Sequence, residues 1–270
     1  MFVDIDEASS YSANSYPEDI LELYYSHETV HTLAYYDTVL QEIENQLPKR
    51  ALRILDFGCG AGMFMRRARA RGHDVHGVDF SPYAEAARQR FGLNIMSKDL
   101  ADCNIEPEAF DVIISHATYE HLMAPLELTQ MLVRYLKPSG LFIISGVPNF
   151  TSISIQWFKN FYRNGLGHVN HYEPASLRSL FKLAGLTTIH VTGYGLNIWW
   201  LLDRIRGLKV QDGTSWPELR REALPVNGLI DTYDTLQPTR FVKMAAWMYA
   251  KLPPLPLSLS LEAWGRKPSQ

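Results

Sequence analysis

From Leu52 onward, short apolar runs alternate with stretches in which apolar residues recur every three or four positions. That alternation is the mark of buried strands joined by amphipathic helices. Strands are expected at Arg53–Phe57, Val75–Val78, Asn94–Ser97, Val112–Ser115 and Leu141–Val147, with helices near Gly62–Arg71, Pro82–Phe91 and Pro125–Leu136. Pro174 opens a further helix that turns Leu177, Leu180, Phe181 and Ala184 inward, and Gly185 ends it. A strand over Leu186–Thr192 follows, and a last strand candidate spans Ser258–Arg266. These elements predict an α/β fold, a doubly wound, mostly parallel seven-stranded Rossmann-like sheet that binds its ligand at the carboxyl ends of the strands.

The flanking segments divide the chain. Residues 1–48 are read as an N-terminal helical lid: a lead-in rich in Ser, Tyr and acids, then a helix carrying Val30, Leu33, Tyr36, Leu40, Ile43 and Leu47 on one face until Pro48 stops it. Residues 49–195 and 257–270 form the core, with an aromatic-rich insertion over 150–173. Residues 196–256 are expected to form a cap on the acceptor side. Tyr194, Trp199, Trp200, Trp216, Tyr233, Phe241, Trp247 and Tyr249 either line an acceptor pocket there or pack a small helical cap.

Composition narrows the function. The net charge of −3 gives no reason to expect a nucleic-acid partner, and the run Arg66, Arg67, Arg69 and Arg71 reads as a solvated helix face. The two cysteines, Cys59 and Cys103, make no disulfide framework, which fits a reducing cytoplasm. The chain contains no apolar run of membrane-spanning length and no signal-peptide pattern, so neither a span nor export is expected.

The chemistry concentrates in Asp56-Phe57-Gly58-Cys59-Gly60-Ala61-Gly62, where a buried strand runs into three alternate glycines and then a helix. Bare backbone at such a turn comes close to a small molecule. Dinucleotide folds use G-x-G-x-x-G to seat a pyrophosphate, whereas this turn is G-x-G-x-G with Met63 in the last small position. The carboxylate of Asp56 at the strand end suits a ligand bearing an ammonium and a sulfonium better than one bearing two phosphates.

The D-x-G-C-G-x-G stretch resembles motif I of the class I S-adenosylmethionine-dependent methyltransferases. The likeness covers roughly Leu52–Leu186 plus the final strand, and is strongest to the branch holding ubiquinone O-methyltransferases and bacterial sugar and natural-product methyltransferases. It implies S-adenosylmethionine as cofactor, S-adenosylhomocysteine as product, a small-molecule acceptor and transfer to a hydroxyl oxygen. An NAD-type oxidoreductase is disfavoured by the glycine spacing, and a non-catalytic S-adenosylmethionine-binding protein is the remaining alternative. The cofactor set is Asp56, Gly58, Cys59, Gly60, Gly62, Asp79, Phe80, Asp99, Leu100 and Ser115. Within it Asp79 is either the ribose acceptor or a helix cap, and Asp99 with Leu100 resembles the adenine-contacting position.

Two further stretches bear on the acceptor. In Ser115-His116-Ala117-Thr118-Tyr119-Glu120-His121-Leu122 the related quinone enzymes show E-x-x-E-H, whose first acid is implicated in metal binding. Ala117 stands in that acid's place here, so no metal is expected, and His121 is read as orienting its loop. Gly167-His168-Val169-Asn170-His171-Tyr172 resembles a G-H-x-x-H/F-[FY] segment of the branch. Two histidines there have no visible partner set for zinc. His168, His171 and, in reserve, His116 are candidates for the base that takes the acceptor proton, or for structural ties.

Overall fold

The computed structural model describes residues 21, 25, 30–152, 168–196, 233–235, 237, 240 and 258–269. Seven strands form one sheet in the order β3-β2-β1-β4-β5-β7-β6. The strands are β1 (Arg53–Phe57), β2 (Asp74–Val78), β3 (Asn94–Met96), β4 (Phe110–His116), β5 (Leu136–Pro148), β6 (Thr187–Leu196) and β7 (Ser258–Arg266). All neighbours are parallel except β7, which runs antiparallel between β5 and β6. The expected doubly wound α/β sheet of seven strands is therefore present.

Helices α1 (Val30–Gln46), α2 (Met63–Ala70), α3 (Pro82–Phe91), α4 (Pro125–Tyr135) and α5 (Pro174–Leu183) cover the sheet. Leu33, Leu40 and Ile43 of α1 join Phe64 and Ala68 of α2 and Ala84 and Ala87 of α3 over the inner residues Ile54, Val112, Ile114 and Ile143. On the other face Leu132 of α4 and Leu177 and Phe181 of α5 pack against Leu55, Ile113, Phe142 and Ile144. Helix α5 stops as its sequence requires: Gly185 takes φ 82°, its N–H reaches the Lys182 carbonyl, and the Leu186 N–H reaches that of Phe181.

Two expectations are corrected. Strand β5 begins at Leu136 instead of Leu141, because Leu136 pairs with Phe110 before a register shift, and Ser139 at φ 62° bonds to Lys267. The arginine run is a solvated face only in part: Arg69 is exposed, but Arg66 and Arg67 are buried. Arg67 forks onto both oxygens of Asp37 at 2.8 and 2.9 Å and donates to the Tyr233 carbonyl, while Arg66 pairs with Asp234 and lies over the rings of Phe91, Tyr25 and Tyr233. Tyr233 itself is buried edge-on against Tyr25 at 5.3 Å, so this aromatic packs the α2 flank. The lead-in, residues 153–167, nearly all of the 196–256 cap with Trp199, Trp200, Trp216, Phe241, Trp247 and Tyr249, and the Tyr194 side chain lie outside the described residues.

Candidate active site at the carboxyl ends of β1 and β4

The chain order reverses between β1 and β4, and a cleft opens at such a switch point outside the strand ends. The glycine turn fills its floor. Gly58, Gly60 and Gly62 all take positive φ, at 76°, 48° and 72°. A Cβ on Gly58 would lie 2.3 Å from Thr118 Oγ1, and one on Gly62 would lie 2.3 Å from Leu93 Cδ1. Gly62 thus serves the seating of α2 against β3, whereas Gly58 brings bare backbone under the loop after β4. Cys59, beside them, is buried, its thiol pushed up by burial and by the charges of Asp56 and Asp79.

Asp56 and Asp79 end β1 and β2 on either side of this turn. Asp56 is buried, and burial, reinforced by the charge of Asp79, pushes its carboxyl up to about 8. Asp79 accepts from the Gly60 N–H at 2.8 Å and from the Ser81 N–H at 2.7 Å, so it shapes the glycine turn as well as facing the cleft. The helix-capping alternative passes to Ser81, whose Oγ accepts from Ala84. Phe80 stands about half exposed at 49%. Asp99 caps a 3₁₀ turn (Leu100–Asp102) through the Ala101 N–H, leaving its carboxylate exposed, while Leu100 is buried in the core. Ser115 is fully buried and donates to the Phe57 carbonyl at 2.8 Å, which clamps β4 to β1 beneath the cleft.

These features fit a donor of the S-adenosylmethionine kind. A buried acid that ionises with difficulty beside a second acid is relieved by a ligand cation, and the glycines leave room for it against the backbone. Asp56 would hold the positive end, Asp79 the ribose, and Phe80 and Asp99 the base, and such a donor supplies a methyl group already activated by its sulfonium.

The acceptor side is built by the end of β4. His116 is half-buried, its Nδ1 lies 2.9 Å from Ser145 Oγ, and Tyr35 and Tyr36 of α1 pack on its ring at 5.8 and 5.3 Å. Burial pushes its imidazole down to about 4. Ala117 takes φ 50° and bonds to the Ser145 carbonyl, a left-handed residue of the kind that clusters at functional sites. A second 3₁₀ turn (Tyr119–His121) then presents Glu120 and His121.

The segment 168–172 closes on that turn. Val169 and Asn170 N–H groups both donate to the Glu120 carbonyl, at 2.8 and 3.0 Å, and Asn170 Nδ2 donates to the carbonyls of Tyr119 and Leu122. His168 thereby meets His121, ring centroids 4.8 Å apart, and lies with Glu120 in one cluster. Burial, with the neighbouring His121 and His171, pushes His168 down to about 4, and burial pushes the Glu120 carboxyl up to about 8. His171 is exposed and stacks on Phe150 at 4.0 Å. The three candidate histidines are therefore not equivalent: His168 is enclosed and His116 half-buried, both pushed toward the neutral form, and His171 faces solvent.

Several participants carried no local signal. Tyr25 donates from its hydroxyl to the Ala61 carbonyl inside the glycine turn, and Tyr35 donates to Glu262 of β7, which also accepts from Trp264 Nε1. Thr118 lies over Gly58, a contact that the strand and glycine turn do not encode locally. The Tyr25–Ala61 and Tyr35–Glu262 pairings join residues far apart in the chain, and the aromatic spacing of α1 is the legible hint of them.

A family model for a methyltransferase domain matches residues 29–191, more than half of the chain. A ubiquinone biosynthesis O-methyltransferase of Cereibacter sphaeroides is 29% identical over 61% of this chain and 73% of its own length. One of Coxiella burnetii is 23% identical over 57% and 71% respectively. Among solved structures, a SAM-dependent methyltransferase from Archaeoglobus fulgidus overlays with a TM-score of 0.54 at 18% identity, covering 86% of this chain and 94% of that one. Phosphoethanolamine N-methyltransferase 2 of Haemonchus contortus, solved with S-adenosyl-L-methionine, overlays with a TM-score of 0.52 at 19% identity, covering 85% and 52%. The glycine turn, the acids flanking it, the strand order and the matched family agree: this chain belongs to the methyltransferase-domain family and is a class I S-adenosylmethionine-dependent methyltransferase.

Proposed function

We propose that the methyl group goes to a hydroxyl oxygen of a small molecule, with His171 taking the proton that the acceptor loses. The observation that carries this reading is the division of labour among the acids and histidines. Asp56 and Asp79 end β1 and β2 beside the glycine turn and are assigned to the donor, and His171 is exposed on a segment pinned beside the turn after β4. A neutral hydroxyl is a poor nucleophile, and a base near neutrality is worth about 100- to 10,000-fold in rate. His116 and His168, both pushed down to about 4, hold a proton poorly at that pH. Support for oxygen as the target comes from the relatives named for ubiquinone biosynthesis O-methylation. The rest of the reaction asks for alignment: donor and acceptor held in line, in a site closed to water.

The same reading places the protein in the cytoplasm, on the strength of its unpaired thiols at Cys59 and Cys103, and gives residues 196–256 the part of an acceptor-side cap. Among the described residues no helix is long and apolar enough to cross a membrane. A nucleic-acid substrate is not part of the proposal, since Arg66 and Arg67 of the basic run are committed to Asp234 and Asp37.

The test is a panel of phenols, catechols and sugars incubated with methyl-labelled S-adenosylmethionine, with products identified by mass and NMR. O-methylated product is expected, with His171→Ala lowering kcat by at least tenfold at unchanged donor affinity. Methylation at nitrogen or carbon, or donor binding with no turnover on any acceptor, would overturn the oxygen assignment, and parental kcat in the variant would remove His171 as base.

A further inference from the structure

We propose that Glu120, His121 and His168 form a binding site for one divalent ion of the zinc or cobalt class. The expectation of no metal rested on Ala117, which removes a donor from the acidic pattern after β4. The fold supplies a different donor from a separate segment, since His168 arrives against the 3₁₀ turn that carries the other two. One ligand atom from each of the three residues lies within 4.8 Å of the others.

One observation points to a missing ligand, and a second shows that the donors are held in place. Glu120 is buried at 3% exposure, and its Oε2 has no hydrogen-bond partner among the described residues. A buried, unsatisfied carboxylate oxygen costs free energy that a folded chain normally avoids by pairing it. The second observation is rigidity of the frame. The Glu120 carbonyl receives two N–H bonds from Val169 and Asn170, Asn170 bonds to Tyr119 and Leu122, and Tyr172 Oη donates to the Tyr119 carbonyl at 3.2 Å. Tyr119 is itself buried and held to Thr129 at 2.9 Å. Five hydrogen bonds across two segments thus fix where the three donors stand, as a preorganised metal site requires.

The donor set selects the ion. Two imidazole nitrogens and one carboxylate oxygen suit zinc, cobalt or nickel better than magnesium or calcium, which prefer all-oxygen shells. Bonds of about 2.0–2.2 Å bring donors to within roughly 3.5 Å of one another, so the side chains have to close by about an ångström around the ion. Three protein donors leave at least one position of a tetrahedral ion open. An oxygen ligand from solvent or from an acceptor would fill it.

The test needs no acceptor. Full-length protein, stripped with a chelator and exchanged into metal-free buffer, is titrated with Co²⁺ and followed by its visible absorption. One equivalent is expected to bind with the strong bands of a four- or five-coordinate ion, and Zn²⁺ is expected to displace it. Glu120→Gln and His168→Ala should each weaken Co²⁺ binding at least tenfold, while His76→Ala, on the sheet's other flank, should bind as the parent does. Absence of saturable binding at one equivalent, or parental affinity in both site variants, overturns the proposal. If those variants fail to fold by circular dichroism, the parent still decides: carbethoxylation of His121, read by peptide mass, should fall when Zn²⁺ is added, and unchanged labelling overturns the site.

Discussion

Replacing Asp56 with asparagine should make the donor-free protein more stable while weakening its grip on S-adenosylmethionine. The carboxyl is enclosed at 3% exposure and is pushed from an ordinary 3.8 up to about 8, first by burial and then by the charge of Asp79. A folded-state value above the unfolded one means that the acid's contribution is intact below about 3.8 and is lost as pH rises toward about 8. At pH 7 the gap spans roughly three pH units, and at about 1.36 kcal/mol per unit the penalty is at most about 4 kcal/mol. At pH 5 little more than one unit has been crossed, so the penalty shrinks to about 1.6 kcal/mol. Asparagine removes it at both. Urea unfolding of parent and Asp56→Asn at pH 5 and pH 7, without donor, should therefore show a stability gain that is larger at pH 7. Donor binding reverses the sense of the effect, because a ligand cation favours the ionised acid. Calorimetry in two buffers of different ionisation enthalpy should show the parent releasing protons on binding S-adenosylmethionine at pH 7, and the variant binding more weakly and releasing fewer. A variant less stable than the parent at pH 7, or one that binds donor with parental affinity and proton release, would refute the electrostatic account of this site.

Asp79→Ala should cost on the order of 2–4 kcal/mol of S-adenosylmethionine binding in calorimetry, since charge-assisted bonds are worth roughly 1.5–3 kcal/mol each; parental affinity would take Asp79 out of the donor site. Gly58→Ala places a Cβ at φ 76° and against Thr118, so thermal unfolding should show a loss of about 1–3 kcal/mol. Adding Thr118→Ala should recover part of that loss, and a single variant that melts with the parent would contradict the geometry. Arg67→Ala leaves the enclosed carboxylate of Asp37 with Arg71 alone, at 4.0 Å, and urea unfolding should lose about 3–5 kcal/mol. A loss under 1 kcal/mol would mean the pair is solvated.

What the sequence disclosed was local. Strand β1 stands at Arg53–Phe57 as the apolar run indicated, because strand and glycine turn are specified within a dozen consecutive residues. Helix α5 was equally legible, since Pro174 and Gly185 mark its ends whatever lies around them. The arginines of α2 were misread because their partners, Asp37 and Asp234, lie far away in the chain, and a helix wheel cannot tell a solvated cation from one committed at long range. The sequence around His168 shows no donor set for the same reason: Glu120 and His121 join it through backbone bonds from Val169 and Asn170. The early start of β5 depends on Leu136 meeting Phe110 across a register shift, which no periodicity encodes.

The placement of β7 has a consequence for how the chain assembles. Strand β6 meets the sheet through β7 alone, and β7 lies about 60 residues further along than β6. On a ribosome, β5 is synthesised with one side unpaired and β6 with nowhere to dock, and both wait for Ser258–Arg266 to slide between them. Glu262 of that strand receives the Tyr35 hydroxyl, so the helix over His116 gains its anchor at the same late moment. Synthesis order and spatial order thus conflict at one edge of the sheet. A partly made chain has its donor-binding half specified while the acceptor side is still open, and its bare β5 edge is a ready template for pairing with another chain.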